Sequence, residues 1–248
     1  MPPVEVLFNA GLAAYLAGAL AGLAAWRRPA AARVVGFALA LAGTLLQAAA
    51  SAAALVQVAG ATWTLPIGTA LFPWTMRLDP LSAYFNLALA FLACAVSVYS
   101  FGYVRHMEGK RSAGALVFFY NLLLLSLSLV FTAANAFSFL VAWEVMALVA
   151  YCLVSFEHEK AETRRAGVVF LVMSHAGTGL LLVAFLVLAN TAQSLDFAHF
   201  HLLGSQLPPL EQGAVFLLFF LGFGVKAGIV PLHIWLPEIG RASCRERV

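Results

Sequence analysis

Four ionisable side chains, Glu144, His175, Lys226 and His233, lie in stretches of this sequence that are otherwise apolar. A charge at the centre of a lipid-spanning helix costs roughly 2.5–3.5 kcal/mol on insertion scales, so each needs a partner, water or a function. Lys226 stands in VFLLFFLGFGVKAGIVPLHIWLPE, and Pro231 follows five residues later. Proline donates no backbone hydrogen bond, and its ring clashes with the carbonyl four residues back, here that of Ala227. A freed carbonyl beside an ammonium is tolerated at membrane depth only where protein or water serves both, which predicts a hydrated, protein-enclosed cavity along this segment. Glu144 lies about midway along NAFSFLVAWEVMALVAYCLVSFEHEK, sharing a helical face with Leu140, Val141, Ala147, Leu148 and Tyr151. A carboxylate at that depth protonates or pairs. Lys226 is the basic residue of the other spans placed deep enough to meet it, so the two predict an intramembrane ion pair able to pass protons. His175, beside Ser174 and one turn before Thr178 and Gly179, is open to either proton relay or hydrogen-bonded packing; with an ordinary pKa of about 6.5, histidine is the easiest side chain to switch. His233 is seven residues beyond Lys226 and shares its face only if the helix persists through Pro231.

The elements that must position these groups are membrane helices. The 248 residues are 63% hydrophobic and 10% charged, far from the composition of a soluble globular chain. A span needs about 20 apolar residues, and seven candidates occur, at roughly 4–26, 34–59, 79–100, 114–133, 135–155, 166–189 and 213–236. The expected architecture is all-α, a polytopic transmembrane bundle with a broken seventh helix. Met1-Pro2-Pro3 supplies no basic region, and Glu5 and Asn9 interrupt the apolar run, so the first span reads as a retained helix rather than a cleaved signal peptide.

Charge orients the bundle. Arg27, Arg28, Arg33, Arg105, Lys110, Arg111, Lys160, Arg164 and Arg165 follow spans one, three and five, whereas the opposite loops hold only Arg77. Basic residues stay cytoplasmic, which predicts an amino terminus outside. In the second span, Thr44, Gln47 and Ser51 among many alanines suit close helix packing. The stretch 60–78, with Trp63, Pro66, Pro73 and Trp74, reads as an interfacial turn with aromatic anchors, and Asp79-Pro80 as the capped start of the third helix. FEHEKAETRR, 156–165, reads as a solvated helix start; the spacing of His199 and His201 could bind metal on an extended segment, but two histidines without other ligands are weak evidence for a site.

Electron chemistry is not expected within this chain. Cys94 and Cys152 stand singly inside spans, and no nucleotide-binding glycine loop, haem attachment or iron-sulfur pattern occurs. No cofactor or metal is expected. The last ten residues, IGRASCRERV, are what read-through of a common sequencing adapter would encode, so residues 239–248 are expected to be an artefact and the natural protein to continue beyond about Glu238. Removing the three positive charges Arg241, Arg245 and Arg247 and the negative Glu246 takes the net charge from +3 to +1, which leaves no argument for a nucleic-acid partner.

Trp143-Glu144-Val145-Met146, together with Lys226 and the run Pro231-Leu232-His233-Ile234-Trp235-Leu236-Pro237-Glu238, resembles the antiporter-like family of membrane subunits shared by respiratory complex I, Mrp-type sodium/proton antiporters and membrane-bound hydrogenases. FEHEKAETRRAGVVFLVMSHAGT is similar to its hydrogenase-4 and formate hydrogenlyase branch. The resemblance implies a longer protein with inverted helix repeats and broken helices at their centres, residues 1–113 preceding the first repeat and 114–238 opening it. It also implies that Glu144 and Lys226 form the ion pair of a proton channel in a bacterial or archaeal cell membrane. The implied partners are the lipid bilayer, protons and other membrane subunits of a multi-subunit redox complex. The chain departs from the complex I members at His175. An Mrp-type sodium/proton antiporter subunit and a membrane anchor with a static ion pair are the competing functions.

Overall fold

A computed structural model describes residues 3–57, 60–69, 72–107, 112–203 and 207–244 of the chain. Lys110 and Arg111, counted above among the loop charges, and Arg245, Glu246 and Arg247 of the tail lie outside the described residues. Among the described residues, seven helices are long and apolar enough to cross a membrane. The chain divides into two units, Met1–Ala133 and Ala134–Val248.

In the first unit, α1 (Val4–Ala24), α2 (Pro29–Gln57), α3 (Pro80–Tyr103) and α4 (Ala113–Thr132) carry a small hairpin between α2 and α3. The hairpin corrects the expected loop: β1 (Ala61–Leu65) pairs antiparallel with β2 (Trp74–Leu78). Its β-branched and aromatic residues suit strands, and Trp63 docks it on α1 by donating to Asn9 Oδ1 at 3.0 Å. Asp79 caps α3 by accepting from the Ser82 N–H at 2.8 Å, with Pro80 in the first turn. The helices also outrun the apolar stretches. Thus α2 takes in Arg33, whose Nη1 donates to the Phe101 carbonyl at 2.8 Å near the end of α3.

Small residues bring these helices together. A Cβ at Gly22 would lie 2.7 Å from the Gly114 carbonyl oxygen, and one at Gly114 would lie 2.6 Å from that of Gly22, so α1 and α4 meet backbone to backbone. The polar residues of α2 are used in packing: Thr44 bonds Tyr15 at 3.1 Å, and Ser128 donates to Gln47 Oε1 at 2.7 Å. Asn121 of α4 donates to the Gly36 carbonyl at 3.2 Å. Through these contacts α4 packs with the first three helices in one compact unit.

The second unit comprises α5 (Ala136–Val154), α6 (Ala161–Ala192), α7 (Phe197–Leu203), α8 (Pro209–Ala227) and α9 (Trp235–Cys244). Asn135 caps α5 through the Ser138 N–H at 2.8 Å. Backbone bonds from Ala136 to Leu195 and from Phe197 to Ala134 pin that start to the strand-like stretch after α6. Phe139, Phe185, Phe197, Phe200 and Phe219 form an aromatic cluster at this end of the unit. Lys160 pairs with Glu157 at 2.7 Å, and Arg164 donates to the carbonyls of His158 and Glu159, closing the polar turn that starts α6.

Candidate functional site

The site is set by one close helix crossing. A Cβ at Gly177 of α6 would lie 3.0 Å from the Gly222 carbonyl oxygen of α8, and a Cβ at Gly222 would lie 3.0 Å from that of Gly177. Lys226 is one turn beyond Gly222, and Phe170 is two turns before Gly177, so an antiparallel crossing puts both on the same side of the contact, about one turn apart, within reach of the long lysine side chain. The Lys226 ammonium lies 4.8 Å from the centroid of the Phe170 ring and 5.6 Å from that of Trp143. It is buried and has no hydrogen-bond partner among the described residues.

Consecutive residues of a helix point about 100° apart, and α5 uses that difference. Trp143 turns toward α8, where it meets Phe223 edge-on at 5.7 Å. Glu144 turns toward α6, where its Oε2 lies 3.3 Å from His175 Nε2. The carboxylate thus makes its ion contact with His175 rather than Lys226.

Two acceptors face the His175 ring: its Nδ1 lies 3.0 Å from the Leu171 carbonyl oxygen and its Nε2 lies 3.3 Å from Glu144 Oε2. A carbonyl oxygen only accepts, so the bond to Leu171 is donated from Nδ1. The contact at Nε2 is a hydrogen bond whenever a proton lies between the imidazole and the carboxyl group.

The seventh span breaks beside the charge, and Gly228 sets the place. Helix α8 stops at Ala227, and Gly228 adopts φ 73°, a left-handed conformation that glycine takes without a Cβ clash. Ile229 N–H returns to the Gly224 carbonyl at 3.0 Å and Gly228 N–H to that of Val225 at 3.4 Å. Trp235 Nε1 also donates to Val225, at 2.8 Å, so two of the carbonyls freed by the break, those of Gly224 and Val225, are served by protein. Lys226 lies in the last helical turn, where the carbonyl ends carry partial negative charge and favour a cation. Pro231 falls inside the non-helical segment 228–234, three residues past the stop. His233 lies in the same segment rather than on a continued face of α8, and its buried Nδ1 has no hydrogen-bond partner.

Glu144, His175 and Lys226, each singled out in the sequence, therefore come from three helices to one level of the unit. Residue spacing did not reveal Phe170 and Trp143 as the groups around the ammonium, or Trp235 as the ring against Phe170, because an aromatic inside an apolar span reads as bulk. The available signal was the glycine on each of α6 and α8, which fixes their register. His199 and His201 lie on helix α7, where a separation of two residues points them to different faces; His199 instead bonds Ser194 at 3.1 Å and lies 3.9 Å from Asp196. No group of three or more His, Cys, Asp or Glu suited to a metal occurs among the described residues.

Residues 133–244 match the family described as NADH:quinone oxidoreductase/Mrp antiporter, TM, and residues 63–112 match that described as NADH-Ubiquinone oxidoreductase (complex I), chain 5 N-terminus. Hydrogenase-4 component B of Escherichia coli (strain K12) is 42% identical over 169 residues, covering 68% of this chain and 25% of that protein. Formate hydrogenlyase subunit 3 of the same organism is 30% identical over 234 residues, covering 94% of this chain and 35% of that one. The chain thus spans between a quarter and about a third of the length of these relatives. A chain of the Mrp complex from Dietzia sp. DQ12-45-1b superposes with a TM-score of 0.74 at 17% identity, over 95% of this chain and 25% of that chain, a likeness of fold. With seven candidate spans and a broken last span, the chain belongs to the antiporter-like membrane subunits of the complex I and Mrp type.

Proposed function

We propose that this chain is the proton-translocating part of a membrane subunit in a hydrogenase-4, formate hydrogenlyase or related quinone oxidoreductase complex, with its amino terminus outside. The observation that carries the reading is the meeting of Glu144, His175 and Lys226 at one level, beside the break that follows Ala227. Glu144 and Lys226 work as a pair that opens and closes. Closed, each charge supports the other. Open, Glu144 shares a proton with His175, and the ammonium gives its own to water or to His233 across the break; the 3.3 Å contact between Glu144 and His175 supports this reading. Redox turnover in a partner subunit drives the cycle by shifting charge or hydration around the pair. No electron passes through these residues.

The test is Lys226→Met and Glu144→Gln in the full-length protein within its complex, in vesicles. Each is expected to lower proton translocation at least tenfold; translocation at the wild-type rate in both variants removes the role. Similarity to the family shared with Mrp antiporters supports a second reading, sodium/proton exchange. Sodium-dependent transport without redox turnover selects it.

A further inference from the structure

Lys226 could have met a carboxylate; it rests instead against two aromatic faces. We propose that Phe170 and Trp143 form a π-cradle that holds the Lys226 ammonium while it is parted from Glu144, with Phe170 a positioning residue for proton transfer. The proposal rests on the reading that Lys226 carries protons. Its geometry is independent of that reading: the nitrogen lies 4.8 Å from one ring centroid and 5.6 Å from the other, both within the range at which a ring face attracts a cation.

The cradle is built and braced. Trp143 is stacked on Phe139 at 5.4 Å and met edge-on by Phe223 at 5.7 Å. Phe170 is 5% exposed and is met edge-on by Trp235 at 5.4 Å. Trp235 is in turn tied across the break through its bond to the Val225 carbonyl, one residue before Lys226. The rings therefore keep their place whether or not the ammonium is there.

Chemistry explains why rings serve here better than a second carboxylate. An aromatic face attracts the ammonium but has no lone pair with which to take its proton. The cradle thus keeps Lys226 charged without competing as an acceptor, and the proton leaves only when water or a basic side chain enters. The neutral amine that remains has little attraction to the ring face, so loss of the proton also releases the side chain. A carboxylate at the same place would hold the ammonium more strongly and would itself accept the proton.

The test replaces Phe170 in the full-length protein, within its complex in vesicles, by mono-, di- and trifluorophenylalanine and by cyclohexylalanine. Fluorine weakens the negative face stepwise with little change of shape, and cyclohexylalanine removes the face. Proton translocation per redox turnover is expected to fall progressively through the series, by about 2- to 5-fold at trifluorophenylalanine and further at cyclohexylalanine. A flat series, or one that rises, overturns the cradle. Lys226→Met in the same vesicles separates the two failures. If that variant stops translocation while the fluorine series is flat, the cradle falls and the function stands; if it translocates like wild type, the function falls and the cradle with it.

Discussion

The contact between His175 and Glu144 makes a quantitative prediction. The Leu171 carbonyl accepts from Nδ1, and Nε2 lies 3.3 Å from Glu144 Oε2, so the contact offers a route for a proton between the imidazole and the carboxyl group. Replacing His175 by leucine removes that route. A hydrogen bond to a charged group contributes about 1.5–3 kcal/mol. The side chains of His175 and Glu144 are 48% and 29% exposed, which places this contact at or below the lower end of that range. An increase of about 1.4 kcal/mol in the transfer barrier slows translocation about tenfold. Replacing His175 by glutamine separates holding from carrying, because its amide can donate to the carboxylate but cannot pass a proton on. Both variants are therefore expected to translocate about tenfold more slowly, read as dye-reported acidification of vesicles containing the full-length protein and normalised to redox turnover. Wild-type translocation in His175→Gln would refute proton carriage by His175 and leave it an orienting role. Wild-type translocation in His175→Leu as well would remove the contact from the mechanism.

Two further predictions concern the scaffold. Gly22→Ala places a methyl 2.7 Å from the Gly114 carbonyl oxygen, and the resulting overpacking between α1 and α4 is expected to cost about 1–3 kcal/mol, read as a lower melting temperature in detergent. Gly228→Ala puts a Cβ on a residue at φ 73°, at a cost of about 1–2 kcal/mol, and Gly228→Asn, which tolerates that conformation better, is expected to recover part of the loss in the same assay. Equal melting temperatures for Gly228→Ala and wild type would show that the helix stop does not depend on glycine.

Much of this protein is legible without coordinates because lipid imposes a simple rule. Apolar runs long enough to span must be helical, and a charge within them must be served, so the seven helices and the special standing of Glu144, His175 and Lys226 followed from residue order alone. Short-range geometry was legible too, as in the cap that Asp79 gives α3, since capping depends on neighbours in the chain. The hairpin at 61–78 was not, because its proline- and tryptophan-rich sequence also suits a loop, and only pairing between distant residues distinguishes the two. The end of α8 lay between these cases: Pro231 announced a break, but Gly228, three residues earlier, decided its position by supplying the left-handed turn. Only tertiary structure decided who meets whom. That Glu144 faces His175 while Lys226 faces Phe170 and Trp143 depends on the crossing of α6 and α8 at Gly177 and Gly222 and on the angle between successive residues of α5. Residue types determine which groups need partners; helix register in three dimensions determines which partners they find.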